Sequence, residues 1–214
     1  MDMRRPGLID RCISEFDAAL RTVAAPQPAG RATVQAARPE AEPLTAGERD
    51  LAARLMRVNH AGEIAAQALY RGQALVAGDA ALRSALLQAA DEEHAHLDWC
   101  QERTAALGAG TSRLAPFWYA GALAIGVAAG LAGDRRSLGF LAETERQVSE
   151  HLDGHLERLP GQDQVSRRIV ERMRADEQAH RQDALARGGV EPPAPIRQAM
   201  RLASRVMTSV AYYF

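Results

Sequence analysis

DEEHAH at 91–96 and ADEQAH at 175–180 are the two stretches from which the architecture of this chain can be read. Each contains a glutamate followed three positions later by a histidine: Glu93 with His96, and Glu177 with His180. On a helix an i, i+3 pair shares one face, so both side chains can reach one site. The motifs stand 84 positions apart. Upstream of each lies another glutamate, Glu63 at 30 positions before Glu93 and Glu145 at 32 before Glu177. The order Glu, ExxH, Glu, ExxH is that of a helix pair used twice, each pair supplying half of a two-metal site.

Periodicity places all four carboxylates on apolar stripes. The first stripe is Ala52, Met56, Asn59, Glu63, Ala66, Tyr70; the second is Leu82, Leu86, Ala89, Glu93, His96, Cys100. The third is Leu141, Glu145, Val148, Leu152, His155, and the fourth Ile169, Met173, Glu177, His180, Ala184. Each puts a carboxylate where helical spacing asks for a core residue. A buried carboxylate without a partner costs several kcal/mol, and four aimed at one core repel each other. Metal cations relieve both costs, and oxygen-rich ligation with two imidazoles suits iron or manganese better than zinc or copper. The expectation is an all-α, ferritin-like four-helix bundle holding two metal ions on Glu63, Glu93, His96, Glu145, Glu177 and His180.

Asp91 and His94 are also spaced i, i+3, but Glu93 and His96 match the second motif in type and register. His151, and less so His60, are candidates to orient a ligand from behind it. His155 is a weaker candidate. The H-x-x-x-H of His151 and His155 lacks the glutamate of a zinc-protease motif.

Turn signals divide the chain. Residues 8–22 form a short amphipathic helix, and 24–47 are rich in Pro, Ala and Gly, as in a linker or a loosely docked arm. The expected division is an appendage at 1–47 and a bundle domain at 48–214. Thr45 and Glu48 make a capping box for a helix of about 48–77, and Asp79 caps another to about 107. Further helices are expected at about 137–159, 163–187 and, amphipathic, 196–213. Between the second and third bundle helices, Leu114–Gly133 carries no charge. A span there would part the two half-sites across a membrane. It is therefore read as the bundle's crossover helix, lying against lipid with Phe117, Trp118 and Tyr119 at an interface; core packing or a dimer contact is the alternative.

The net charge is −1 with no basic block, which argues against nucleic acid. All 26 basic residues are arginine, so Schiff-base and phosphate-loop lysine chemistry are excluded. Cys12 and Cys100 form no metal or redox spacing and read as unpaired thiols. The first residues, MDMRRPGLIDRCISEF, lack the apolar run of a signal peptide, so a cytoplasmic membrane face is the expected location.

RVNHAGE at 57–63, DEEHAHL at 91–97, ETERQVSEHL at 143–152 and ADEQAH at 175–180 resemble the demethoxyubiquinone hydroxylases. FWYAGALAIGVAAGLAGD at 117–134 is similar to the bacterial members. The resemblance covers about 48–214. It implies a peripheral membrane monooxygenase with two iron ions per chain, Glu93 and Glu177 bridging them. Its substrates would be O₂ and a polyprenyl quinol, hydroxylated on the ring late in ubiquinone biosynthesis. It leaves room for a homo-oligomer or partner proteins. The rival readings are a hydroxylase of a tRNA base, an iron-storage protein and a metal-free bundle.

Overall fold

The computed structural model describes residues 8–24 and 43–214, and the described residues form seven α-helices and no strand. These are α1 (Leu8–Ala24), α2 (Ala46–Val76), α3 (Ala80–Ala106), α4 (Ala115–Leu131), α5 (Asp134–Arg158), α6 (Gln164–Ala186) and α7 (Ala194–Ala211). Residues 25–42, the greater part of the stretch 24–47 read above as a linker or loosely docked arm, and the side chain of Cys12 lie outside the described residues.

Local signals set the helix ends. The Thr45 hydroxyl accepts from the Glu48 amide at 3.3 Å, and the Glu48 carboxylate accepts from the Thr45 amide at 2.9 Å. Such a cap contributes about 1 kcal/mol. Asp79 accepts from the Leu82 amide at 2.7 Å and opens α3. Asp163 accepts from the Ser166 amide at 2.9 Å and opens α6. The helix expected from 137 starts three residues earlier, at Asp134, whose carboxylate accepts from the Gly78 and Asp79 amides, each at 3.1 Å. One aspartate thereby ties the α2–α3 turn to the start of α5.

Short turns pair α2 with α3 and α5 with α6, and α4 is the long connection between the pairs. Most of the apolar core falls into two parts along the bundle axis. One gathers Ile64, Leu69, Tyr70, Leu86, Leu97, Leu138 and Leu141. The other gathers Leu55, Met56, Cys100, Leu152, Ile169 and Met173. Along α2, α5 and α6, Glu63, Glu145 and Glu177 fall between the residues of one part and those of the other.

The crossover α4 lies lengthwise on α2. A Cβ on Gly72, Gly126 or Gly130 would overlap atoms of the facing helix, so the backbones touch. Ala115, Tyr119, Ala122, Gly126 and Gly130 are its buried face. This corrects one expectation about its start. Tyr119 is buried, and Trp118 turns inward and donates its indole N–H to the Ser112 hydroxyl at 3.2 Å. Only Phe117 of that trio faces out, at 71% exposure, in company with Ile125 and with Leu131 at 72%.

The C-terminal helix α7 buries Ala211 against Val58 and Ala61 of α2, and leaves Ile196, Leu202 and Val206 exposed. α1 docks through the ion pair Arg71–Glu15 at 3.2 Å and a hydrogen bond from the Thr22 hydroxyl to the Gln67 amide oxygen. No described helix is long and apolar enough to cross a membrane.

Candidate metal centre

Each bundle helix presents its polar residue to the same point. Glu63 comes from α2, Glu93 and His96 from α3, Glu145 from α5, and Glu177 and His180 from α6. Their donor atoms form two overlapping sets, Glu63–Glu93–His96–Glu177 and Glu93–Glu145–Glu177–His180, the atoms of each set lying within 4.8 Å of one another. Glu93 and Glu177 belong to both. Both histidines turn Nδ1 inward. His96 Nδ1 lies 2.8 Å from Glu93, 3.3 Å from Glu177 and 3.6 Å from Glu63. His180 Nδ1 lies 3.3 Å from Glu93 and 3.4 Å from Glu177.

The electrostatics are those of a site built around positive charge. Burial, and then the charges of Glu93 and Glu177, raise the Glu63 carboxyl well above the usual range. Burial, and then Glu177, do the same to Glu145. Burial also opposes ionisation of Glu93, but the His180 and His96 imidazoles beside it outweigh burial and hold that carboxyl below the ordinary value. Burial opposes protonation of His180 too, yet Glu177 and Glu93 push its pKa up to about 12. Both oxygens of Glu145, both of Glu177 and one of Glu93 have no hydrogen-bond partner. Buried acceptors are ordinarily satisfied. Five orphaned carboxylate oxygens at the meeting point of four helices fit divalent cations, and four carboxylates balance two such ions.

The other sequence candidates are not members of the two donor sets. His94 is half-buried and its Nδ1 lies 2.5 Å from Gln67 Nε2, outside both donor sets. Asp91 is exposed and lies 3.9 Å from Arg71. The rings of His151 and His155 on α5 meet at a tilt of 59°, their centroids 4.0 Å apart. Burial lowers His60 to about 4, and burial and Arg158 lower His151 to about 4. His60 Nδ1 and His151 Nε2 have no hydrogen-bond partner. Cys100 is a free buried thiol whose sulfur lies 3.7 Å from that of Met173.

Two carboxylates escaped the sequence reading. Asp176 Oδ2 lies 3.3 Å from His96 Nε2, and Glu92 Oε2 lies 2.9 Å from His180 Nε2. Both residues immediately precede a glutamate of the cluster, and that repeated acidic neighbour is the signal that was available. A shallow apolar groove lined by Leu82, Leu86, Leu138 and Leu141 opens onto His180.

The family described as Ubiquinone biosynthesis protein COQ7 matches residues 50–211. The chain belongs to that family. A relative from Azoarcus sp. (strain BH72), named 3-demethoxyubiquinol 3-hydroxylase, is 56% identical over 205 residues, covering 96% of this chain and 99% of its own. Proteins of the same name from Ralstonia pickettii and Nitrosococcus oceani are 55% and 52% identical; the first covers 96% of this chain and 99% of its own, the second 100% of both. Among solved structures, a dodecameric thioferritin, the bacterioferritin-related protein from Bacteroides fragilis, superposes with a TM-score of 0.53 at 17% identity, covering 76% of this chain and 90% of its own. At that identity the likeness speaks for the fold, which is ferritin-like.

Proposed function

We propose that this chain is a monooxygenase that hydroxylates the ring of a 3-demethoxyubiquinol, the reaction named for its family relatives, at a centre of two iron ions. The observation that carries the metal reading is the pair of donor sets sharing Glu93 and Glu177. In this reading Glu63 and His96 hold one ion, Glu145 and His180 hold the other, and Glu93 and Glu177 bridge them. Two ferrous ions so held would supply the two electrons that O₂ requires beyond those of the ring C–H bond, so that one oxygen atom enters the ring and the other leaves as water with two protons, an external two-electron donor then restoring the ferrous state. The protein's own part is to hold the donors on four helices at fixed separation, to keep bulk water out, and to balance charge. Apolar residues on both sides of the carboxylates do the excluding.

A polyprenyl quinol partitions into lipid, so the enzyme must meet a bilayer. The exposed apolar faces of α4 and α7 support peripheral membrane association; we propose the cytoplasmic face of the cell membrane as its place. We also propose that 48–214 is the catalytic domain and 1–47 an appendage to it.

The test is a strain lacking this gene, with quinone extracts analysed by mass spectrometry. It should accumulate a demethoxyubiquinone and make little ubiquinone. The wild-type gene should restore synthesis and a Glu63→Ala copy should not. Normal ubiquinone with no accumulated intermediate, in a genome without a second such hydroxylase, would remove the substrate assignment.

A further inference from the structure

Glu92 and Asp176 occupy equivalent places in the two repeats. Each stands one residue before a carboxylate of the cluster, about 100° round its helix, since a turn holds 3.6 residues. That rotation turns the side chain away from the centre and toward the neighbouring helix. Glu92 of α3 reaches His180 of α6 at 2.9 Å, and Asp176 of α6 reaches His96 of α3 at 3.3 Å. The exchange is reciprocal: each helix supplies a carboxylate to the other's imidazole. Both contacts are made at Nε2, while both Nδ1 atoms face Glu93 and Glu177.

Each carboxylate is braced from one turn earlier on its own helix. Gln88 donates to Glu92 at 2.9 Å, and Arg172 donates to Asp176 at 2.9 Å. The braces have the i, i+4 spacing that helices favour. Asp176 is three-quarters buried, so its position is well defined, whereas half of Glu92 is open to water.

A neutral imidazole carries one proton, and it binds a metal only through the nitrogen that lacks it. For Nδ1 to be the ligand atom, the proton must sit on Nε2. A carboxylate opposite Nε2 accepts that proton's hydrogen bond and favours the required tautomer, besides fixing the plane of the ring. We infer that Glu92 and Asp176 are positioning residues that hold His180 and His96, each across the α3–α6 interface, with Nδ1 ready to bind metal. This rests on the two-metal reading of the centre. An amide in place of either carboxylate would weaken the selection, because it can turn its NH₂ toward Nε2 and favour the wrong tautomer.

The experiment uses the full-length chain, stripped of metal by chelation and titrated without oxygen. The probe is Co(II), whose visible absorption reports ligand geometry, and Fe(II) competition gives the affinity for iron. Glu92→Gln and Asp176→Asn should each bind 10–100-fold more weakly than the wild type, on the order found for partners behind metal-bound histidines. Their Co(II) spectra should change, while the apo chains keep their helicity and thermal midpoint. Glu92→Asp and Asp176→Glu, which keep the charge, should recover part of the affinity. Wild-type affinity and spectra in both amide variants would overturn the positioning role. So would a loss of affinity that merely follows a fallen apo midpoint, since that is bracing of the fold. A wild-type chain that binds neither Co(II) nor Fe(II) would overturn the metal centre itself, an outcome distinct from the other two.

Discussion

Gly126 of α4 and Leu69 of α2 meet backbone to backbone: a Cβ on Gly126 would overlap the Leu69 carbonyl oxygen. The carbonyl belongs to a helix and cannot swing aside as a side chain would. Gly126→Ala should therefore cost about 1–3 kcal/mol, the usual range for overpacking. Urea denaturation of the purified protein checks this. An unchanged midpoint would mean that α4 stands off from α2.

Glu93 and Glu177 lie in both donor sets, and His96 lies in one. Glu93→Ala and Glu177→Ala should each lose most of the bound iron, read by plasma emission spectrometry, because a shared carboxylate serves both ions. His96→Ala should also be inactive. His94→Ala should keep much of the activity, because His94 is engaged with Gln67 outside the cluster. Full iron retention in both glutamate variants would refute the bridging role. An inactive His94→Ala beside an active His96→Ala would put α3 out of register.

Burial, with help from His151 and Arg158, lowers the His155 imidazole to about 2, against an ordinary value of 6.5. Between those values the unfolded chain holds a proton there that the folded chain lacks. The contribution to stability is thus complete above pH 6.5 and is lost as the pH falls toward the folded value. His155→Gln removes the titration. The unfolding free energy of the wild type relative to this variant should fall by up to about 1.4 kcal/mol per pH unit on acidification. Denaturation series at neutral and mildly acidic pH give that difference; a flat one would show that His155 titrates alike in both states.

Phe117 and Leu131 face outward from the two ends of α4. Phe117→Glu together with Leu131→Glu should weaken flotation with liposomes, since each charge would enter the lipid interface. Helicity and iron content should stay at wild-type levels, because neither side chain packs inside the bundle. Unchanged flotation would assign lipid contact to α7 or to another face.

Much of the molecule follows from one-dimensional signals. Thr45 with Glu48, Asp79 and Asp163 are local caps, formed within a few residues, and they locate helix starts without reference to the rest of the chain. Glu63, Glu93, Glu145 and Glu177 were legible because a carboxylate on an apolar stripe is a contradiction that only burial near positive charge resolves. The repeated spacing of Glu93–His96 and Glu177–His180 carried the register for the same reason. What no local pattern could decide was how helices face one another. Periodicity leaves Glu92 and Asp176 as surface acids, and only the α3–α6 crossing turns them toward His180 and His96. Uniform hydrophobicity in Leu114–Gly133 could not say that Tyr119 and Trp118 turn inward and Phe117 outward, because a helix apolar on every side has no preferred face. The face was chosen by Gly72, Gly126 and Gly130, whose missing side chains allow α4 to approach α2 in one orientation.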